Sequence, residues 1–173
     1  MTSIRKPSSW VLLHLGSIPA GGRVLDLACG GGRHTRLLLE AGHEVTAVDR
    51  QLGGVADLSA DPRVCLVRAD LERDPWPLRD QTFAGVVVVD YLWRPLFPEI
   101  LASVAVDGVL IYATFARGQE SYGRPRRAEY LLAAGELRDL LPEGWRVLAY
   151  EHGLVAGERT AMRQRIVGLR LRG

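Results

Sequence analysis

Asp26, Ala28, Gly30 and Gly32 stand at alternate positions in VLDLACGGGRH: an acid inside an apolar run, then bare backbone. A run of glycines costs conformational entropy, so something must approach the backbone closely there. A carboxylate within an apolar strand is costly unless it is paired. A cationic ligand, or backbone donors of the glycine turn, would justify Asp26. The helix N-terminus that follows favours a negative group. The dinucleotide pattern G-x-G-x-x-G fits less well, because Gly30 and Gly32 fill its first two positions but Thr35 stands at the third. A pyrophosphate would also gain nothing from Asp26. Three more acids close apolar runs further on: Asp49 after EVTAV, Asp70 after RVCLVRA and Asp90 after FAGVVVV.

The elements that must position these residues alternate. RVLDLAC reads as a strand and RHTRLLLEAGH as a helix ending at Gly42. EVTAVDR is a second strand, QLGGVADLSA a weak, glycine-interrupted helix and RVCLVRAD a third strand. LERDPWPLRDQT is loop, marked by its prolines. The four valines of FAGVVVVDYLW predict a strand buried on both faces. RPLFPEILASV is a helix, GVLIYATF a strand, AAGELRDLL a short helix, and WRVLAYEHGLV and RQRIVGLRLR the last two strands, joined near Gly157. Strand–helix alternation implies a parallel sheet with right-handed crossovers. The last two strands are too close together for a crossover helix and should pair antiparallel. Residues 1–22 are expected to form a short helical segment, with Ser8-Ser9 as its cap, and residues 23–173 one ligand-binding domain.

Composition narrows the classes. A chain of 173 residues fits one domain, and a net charge of +2 gives no general affinity for polyanions. Lys6 is the only lysine; the other cations are arginines, suited to planar carboxylate or phosphate groups. Cys29 and Cys65 sit in apolar runs and read as small buried hydrophobes, with no disulfide framework or zinc spacing. His34 and His43 lack metal-ligand spacing and read as surface or packing residues. No apolar run reaches the ~20 residues of a membrane span, and the N-terminus carries no signal-peptide pattern. A cytoplasmic setting is the expectation.

VLDLACGGG resembles the first motif of the class I S-adenosylmethionine-dependent methyltransferases. The resemblance implies a single-domain, Rossmann-like α/β fold. Its sheet would be mostly parallel and seven-stranded with an antiparallel last strand, and helices would cover both faces. It implies S-adenosyl-L-methionine as cofactor, held by Asp26, Ala28, Cys29, Gly30 and Gly32. Asp49 would hold the ribose hydroxyls, with Arg50 flanking the adenine. Asp70 with Leu71 would meet the adenine amino group, and Asp90 with Tyr91 would lie beside the methionine part. Within the class, DYLWRPLFPEIL and TFARGQESYGRPRRAEYLLAAGEL are similar to small bacterial methyltransferases grouped with tellurite-resistance enzymes. Asparagine is commoner there at the position of Asp90. The proline-rich signature of nucleobase N-methyltransferases is absent from DYLW.

Methyl transfer is a displacement at carbon that needs alignment, desolvation and removal of a proton. Asp90 is the candidate base, with Tyr91 and Trp93 as aromatic walls facing a sulfonium. The loop Ala116–Arg127, carrying Arg117, Glu120, Tyr122, Arg124, Arg126 and Arg127, reads as a lid or wall for a small, anionic acceptor. Four other readings compete. Arg159, Arg163, Arg165, Arg170 and Arg172 cluster near the end of the chain and offer a surface for RNA. A protein acceptor, a nicotinamide-dependent oxidoreductase and a non-catalytic cofactor-binding protein complete the set.

Overall fold

Seven strands form one sheet of order β3-β2-β1-β4-β5-β7-β6. They are β1 (Val24–Leu27), β2 (Val45–Asp49), β3 (Val64–Arg68), β4 (Phe83–Val89), β5 (Val104–Phe115), β6 (Trp145–Val155) and β7 (Ala161–Arg170). The computed structural model describes residues 5–156 and 160–173; Gly157 and Arg159 lie outside the described residues, as do the first four of the N-terminal segment. The first five strands pair in parallel, and β7 runs antiparallel to both β5 and β6.

Alternation along the central strands sends side chains to two cores. Val86 and Val88 of β4 join Leu25, Leu27, Leu110 and Tyr112 on one face, beneath α3 (Phe97–Ala102) and α4 (Glu136–Asp139). Val87 and Val89 join Val24, Ile111 and Val167 on the other, beneath α1 (Ser9–His14) and α2 (Arg33–Glu40). Helices therefore cover both faces, and the four valines are buried on both sides as their run predicts. Trp10 and Val11 of α1 are fully enclosed in the second core.

Three local expectations give way. Gly53–Ala60 is a 3-10 segment rather than an α-helix. Its glycines lower helix propensity, and Gly54 lies so close to the Cα of Gly31 that no side chain fits between them. Ser8 stands at the N-cap of α1, yet its hydroxyl makes no cap bond; its backbone N–H donates instead to His34 Nε2 at 3.1 Å. Cys65 is exposed while Cys29 is buried, because β3 is the edge of the sheet. Among the described residues, no helix is long and apolar enough to cross a membrane.

Candidate active site

The carboxyl ends of β3, β2, β1 and β4 lie side by side, and sheet order reverses between β1 and β4. Ligands of open α/β sheets bind at such a switch point. Every acid singled out in the sequence stands on or near this edge.

The glycine turn is built by its neighbours as much as by any ligand. Gly32 adopts φ 73° as the N-cap of α2, and a Cβ there would lie 2.3 Å from Val55 Cγ1. Arg36 Nη1 donates to the carbonyls of Gly31 and Gly32 at 2.9 and 3.2 Å. Its Nη2 holds both carboxylate oxygens of Asp57, at 2.7 and 2.8 Å. This pair clamps the 3-10 segment onto the turn; it is not legible in the sequence, because the two residues belong to separate elements. Removing the clamp by Arg36→Met is expected to cost about 1–2 kcal/mol and lower Tm by several degrees, measured by thermal unfolding. Gly30 and Gly31 remain open: a Cβ at either would meet nothing within 4 Å. The turn thus presents bare backbone on its outer side, the shape a ligand needs.

Asp26 is buried, and its carboxylate accepts a hydrogen bond from Thr35 Oγ1 at 2.6 Å. Burial raises its pKa to about 6, with the Thr35 bonds and Arg33 opposing the rise. Thr35, which counts against a dinucleotide pattern, has a positive role: it holds this acid. Ala28 sits at φ 55°, a conformation glycine adopts more readily. Cys29 donates its N–H to the Val48 carbonyl at 3.1 Å, and burial pushes its thiol up to about 12, so it stays protonated.

Asp49, ending β2, reaches back to the turn. Its Oδ2 accepts from the Gly30 N–H and its Oδ1 from the Gln51 N–H, each at 2.9 Å. Arg50 is exposed, and its carbonyl accepts from Arg68 Nε at 3.2 Å. Asp70 lies just past β3 and accepts the Glu72 N–H at 3.1 Å, while Leu71 is buried in the core. The Tyr91 hydroxyl is buried and has no hydrogen-bond partner among the described residues. Burial, reinforced by Glu72, Asp70 and Asp49, lifts its phenol well above the usual range. Tyr91 therefore keeps its proton and can donate, but it is no base. Tyr112 fixes its backbone by donating to the Tyr91 carbonyl at 2.8 Å. Trp93 packs against the core below.

Asp90 departs furthest from expectation. It sits at φ 59°, and its oxygens are engaged by Arg33 Nη2 at 2.9 Å and Arg163 Nη1 at 2.5 Å. Both oxygens of this carboxylate are thus engaged by guanidinium groups. Neither arginine was legible as a partner: Arg33 reads as part of a helix and Arg163 as part of a basic tail. A cleft of about 620 Å³ opens beside Asp90, with Arg5, Lys6, Arg33, Arg124, Arg163 and Arg165 among its lining residues. Arg163 also lies over the Phe115 ring at 4.2 Å, and Arg165 over that of Trp10 at 4.8 Å.

Three further arginines make contacts away from the cleft. Arg127 pairs with Glu129, Arg172 with Asp107, and Arg170 donates to the Val104 carbonyl at 2.6 Å. The loop Ala116–Arg127 is anchored by Gln119, which is buried, accepts the Met162 N–H at 2.8 Å and donates to the Arg124 carbonyl. Gln119 and the Tyr122–Arg124 stretch of this loop line the cleft. His34 and His43 are both buried packing residues; His43 Nδ1 lies 2.9 Å from the Gly22 carbonyl.

Residues 24–106 match the family model described as a methyltransferase domain. The malonyl-[acyl-carrier protein] O-methyltransferase of Serratia marcescens is 31% identical over 115 residues, 62% of this chain and 44% of that protein. The chain thus spans less than half the length of this curated relative. Among solved structures, TehB from Haemophilus influenzae superposes with TM-score 0.76 at 17% identity, over 99% of this chain and 64% of that one. A Burkholderia thailandensis 1,6-didemethyltoxoflavin-N1-methyltransferase, crystallised with 1,6-didemethyltoxoflavin and S-adenosylhomocysteine, gives TM-score 0.67 at 22% identity, covering 94% and 76% of the two chains. These likenesses are of fold.

Proposed function

We propose that this chain is a class I S-adenosylmethionine-dependent methyltransferase that methylates a small, anionic acceptor, a reading supported by the match to a methyltransferase domain and by the fold. The single observation that carries the reading is the juxtaposition at one sheet edge of the open glycine turn, Asp49 and an arginine-lined cleft. The bound donor supplies a methyl carbon activated by a sulfonium, and the bonding pair leaves with the sulfur.

The residues present fit that donor. Gly30 and Gly31 leave room along the backbone. Arg33, at the start of α2, is a cation for the amino-acid carboxylate, and buried Asp26 supplies negative potential beneath the ammonium. Asp49 is aimed at the turn where a ribose would lie. Asp70, Leu71 and Arg50 would bound the adenine, and the free Tyr91 hydroxyl offers a donor between these acids. Ala28 and Cys29 shape the backbone below.

On the acceptor side the cleft carries five cations besides Arg33, against Asp90 and the Glu151 carboxylate that pairs with Arg165. That excess of positive charge favours a carboxylate or phosphate group over a neutral or cationic acceptor. Residues 23–173 form the donor-binding domain in this reading. Ahead of them, Arg5–Ser9 line the cleft, and the Lys6 carbonyl accepts from Arg33 Nη1.

Calorimetry with S-adenosylmethionine, S-adenosylhomocysteine and NAD tests the donor: heat from the first two and none from NAD is expected, and the reverse would overturn the reading. A panel of anionic and neutral acceptors then tests the other half. Arg124→Ala is expected to raise KM for an anionic acceptor about tenfold, and Arg126→Ala, outside the cleft, to leave it unchanged. Equal effects of the two changes would remove the anionic acceptor.

A further inference from the structure

Asp90 bridges the two halves of the proposed site. One oxygen belongs to Arg33, beside the open glycines, and the other to Arg163, in the cleft. All three side chains are largely covered, with relative exposures of 21%, 26% and 20% for Arg33, Asp90 and Arg163. Their mutual attraction is therefore less screened than at a free surface. The carboxylate has little freedom: Asp90 is held at φ 59°, its N–H bound to the Ala113 carbonyl at 2.9 Å. Arg163 is fixed in turn by the Phe115 ring.

We propose that Asp90 is a shared counter-ion that couples the donor's carboxylate, arriving at Arg33, to the acceptor's anionic group, arriving at Arg163. This rests on the methyltransferase reading and adds a role for Asp90 that depends on occupancy. A carboxylate on Arg33 competes with Asp90 Oδ2, leaving Asp90 to pair more strongly with Arg163. An anion on Arg163 competes with Oδ1 and strengthens the pair with Arg33. Each ligand thus opposes the other, and the opposition is reciprocal by linkage. Only when both arginines are taken is Asp90 released. Its oxygens then face the cleft without a partner, free to receive the proton that the acceptor heteroatom gives up as its lone pair forms the new bond to carbon. The base is masked until both ligands are in place, which reconciles a catalytic Asp90 with its paired geometry.

Calorimetric titration of the full chain with S-adenosylhomocysteine, at constant ionic strength and with or without saturating inorganic phosphate, measures the coupling. In the wild type, phosphate is expected to weaken S-adenosylhomocysteine three- to tenfold, and S-adenosylhomocysteine to weaken phosphate by the same factor. 5′-Methylthioadenosine, which lacks the carboxylate, should be indifferent to phosphate. In Asp90→Asn both ligands should bind more tightly and the factor should fall to about one; asparagine tolerates this positive φ, so the fold should hold. Arg163→Gln should bind S-adenosylhomocysteine and lose the coupling as well. An undiminished factor in Asp90→Asn would mean that the two anions simply repel each other, and independent binding in the wild type would mean no coupling; either removes the shared counter-ion. No heat from S-adenosylhomocysteine under any condition removes the methyltransferase reading itself.

Discussion

Gly32→Ala is expected to unfold about 3 kcal/mol more easily than the wild type and to lose donor binding altogether. Two costs add at this position. The φ of 73° disfavours any L side chain by ~1–2 kcal/mol. The new methyl would lie 2.3 Å from Val55 Cγ1 and 2.6 Å from Arg36 Nη1, and overpacking of this kind costs ~1–3 kcal/mol. Val55 is fully buried against Cys29 and Ala47, so it has nowhere to retreat. Relief would come from pushing the Gly53–Ala60 segment outward, which breaks the Arg36–Asp57 clamp and reshapes the turn. Urea unfolding should show the loss as a lower midpoint at unchanged slope. Gly30→Ala is the informative partner: its φ of 53° is also unfavourable, but its Cβ would meet nothing. It should cost only ~1–2 kcal/mol of stability while still obstructing a ligand. Equal destabilisation by both changes would show that packing against Val55 does not matter.

Donor affinity is expected to depend steeply on pH through Asp26. Its pKa of about 6 means that the free protein holds this carboxyl protonated below that pH. The ammonium of S-adenosylhomocysteine stabilises the ionised form, so binding below pH 6 must expel a proton. Affinity should then fall about tenfold per pH unit, and level off above pH 6. The sign for stability is opposite. A carboxyl raised above its ordinary value favours the fold at low pH, and that contribution, about 3 kcal/mol, is lost as pH rises from roughly 4 to 6.

His34 works against it in nearly the same window. Burial lowers its pKa to about 4, with Arg33 adding to the fall and Asp90 opposing it, and the neutral ring accepts the Ser8 N–H. Its contribution is full above pH 6.5 and is lost as pH falls towards 4. The free protein's stability should therefore vary little across this range, although donor affinity varies strongly. In Asp26→Asn the two separate. Donor affinity at pH 7.5 should fall by ten- to hundredfold and lose its dependence on pH near 6. Stability should then decline on acidification as His34 acts alone. Calorimetry at half-unit pH steps and thermal unfolding over the same range check both halves; an unchanged affinity profile in the variant would exclude Asp26 from donor binding.

The framework was legible because it rests on local patterns. Four valines announced β4, and acids at the ends of apolar runs marked the carboxyl edge of the sheet. Proximity of the last two strands gave the antiparallel pair. What escaped were contacts between distant residues. Arg33 and Arg163 meet at Asp90 only because β7 inserts between β5 and β6, and nothing in RQRIVGLRLR says which arginine will face the cleft. The glycines were read as space for a ligand; Gly30 and Gly31 keep that space, whereas Gly32 answers to Val55. Cys65 was misread because an apolar run does not reveal that its strand is an edge. Thr35 was weighed only as a missing glycine, because its partner Asp26 lies on the neighbouring element.

The pairing of β5 with β7 sets Phe115 opposite Arg163 and Ala113 opposite Arg165, while Gln164 and Ile166 turn to the other layer. Gln164 there receives the Leu137 N–H and the Tyr150 hydroxyl. Cleft-facing charge and structural amide thus alternate along one ribbon with a period of two. A shift of β7 by one residue would bury guanidinium groups beneath α4 and aim an amide at the cleft. Insertions between Val155 and Ala161 should therefore be tolerated only when the added residues bulge outward and leave this parity intact.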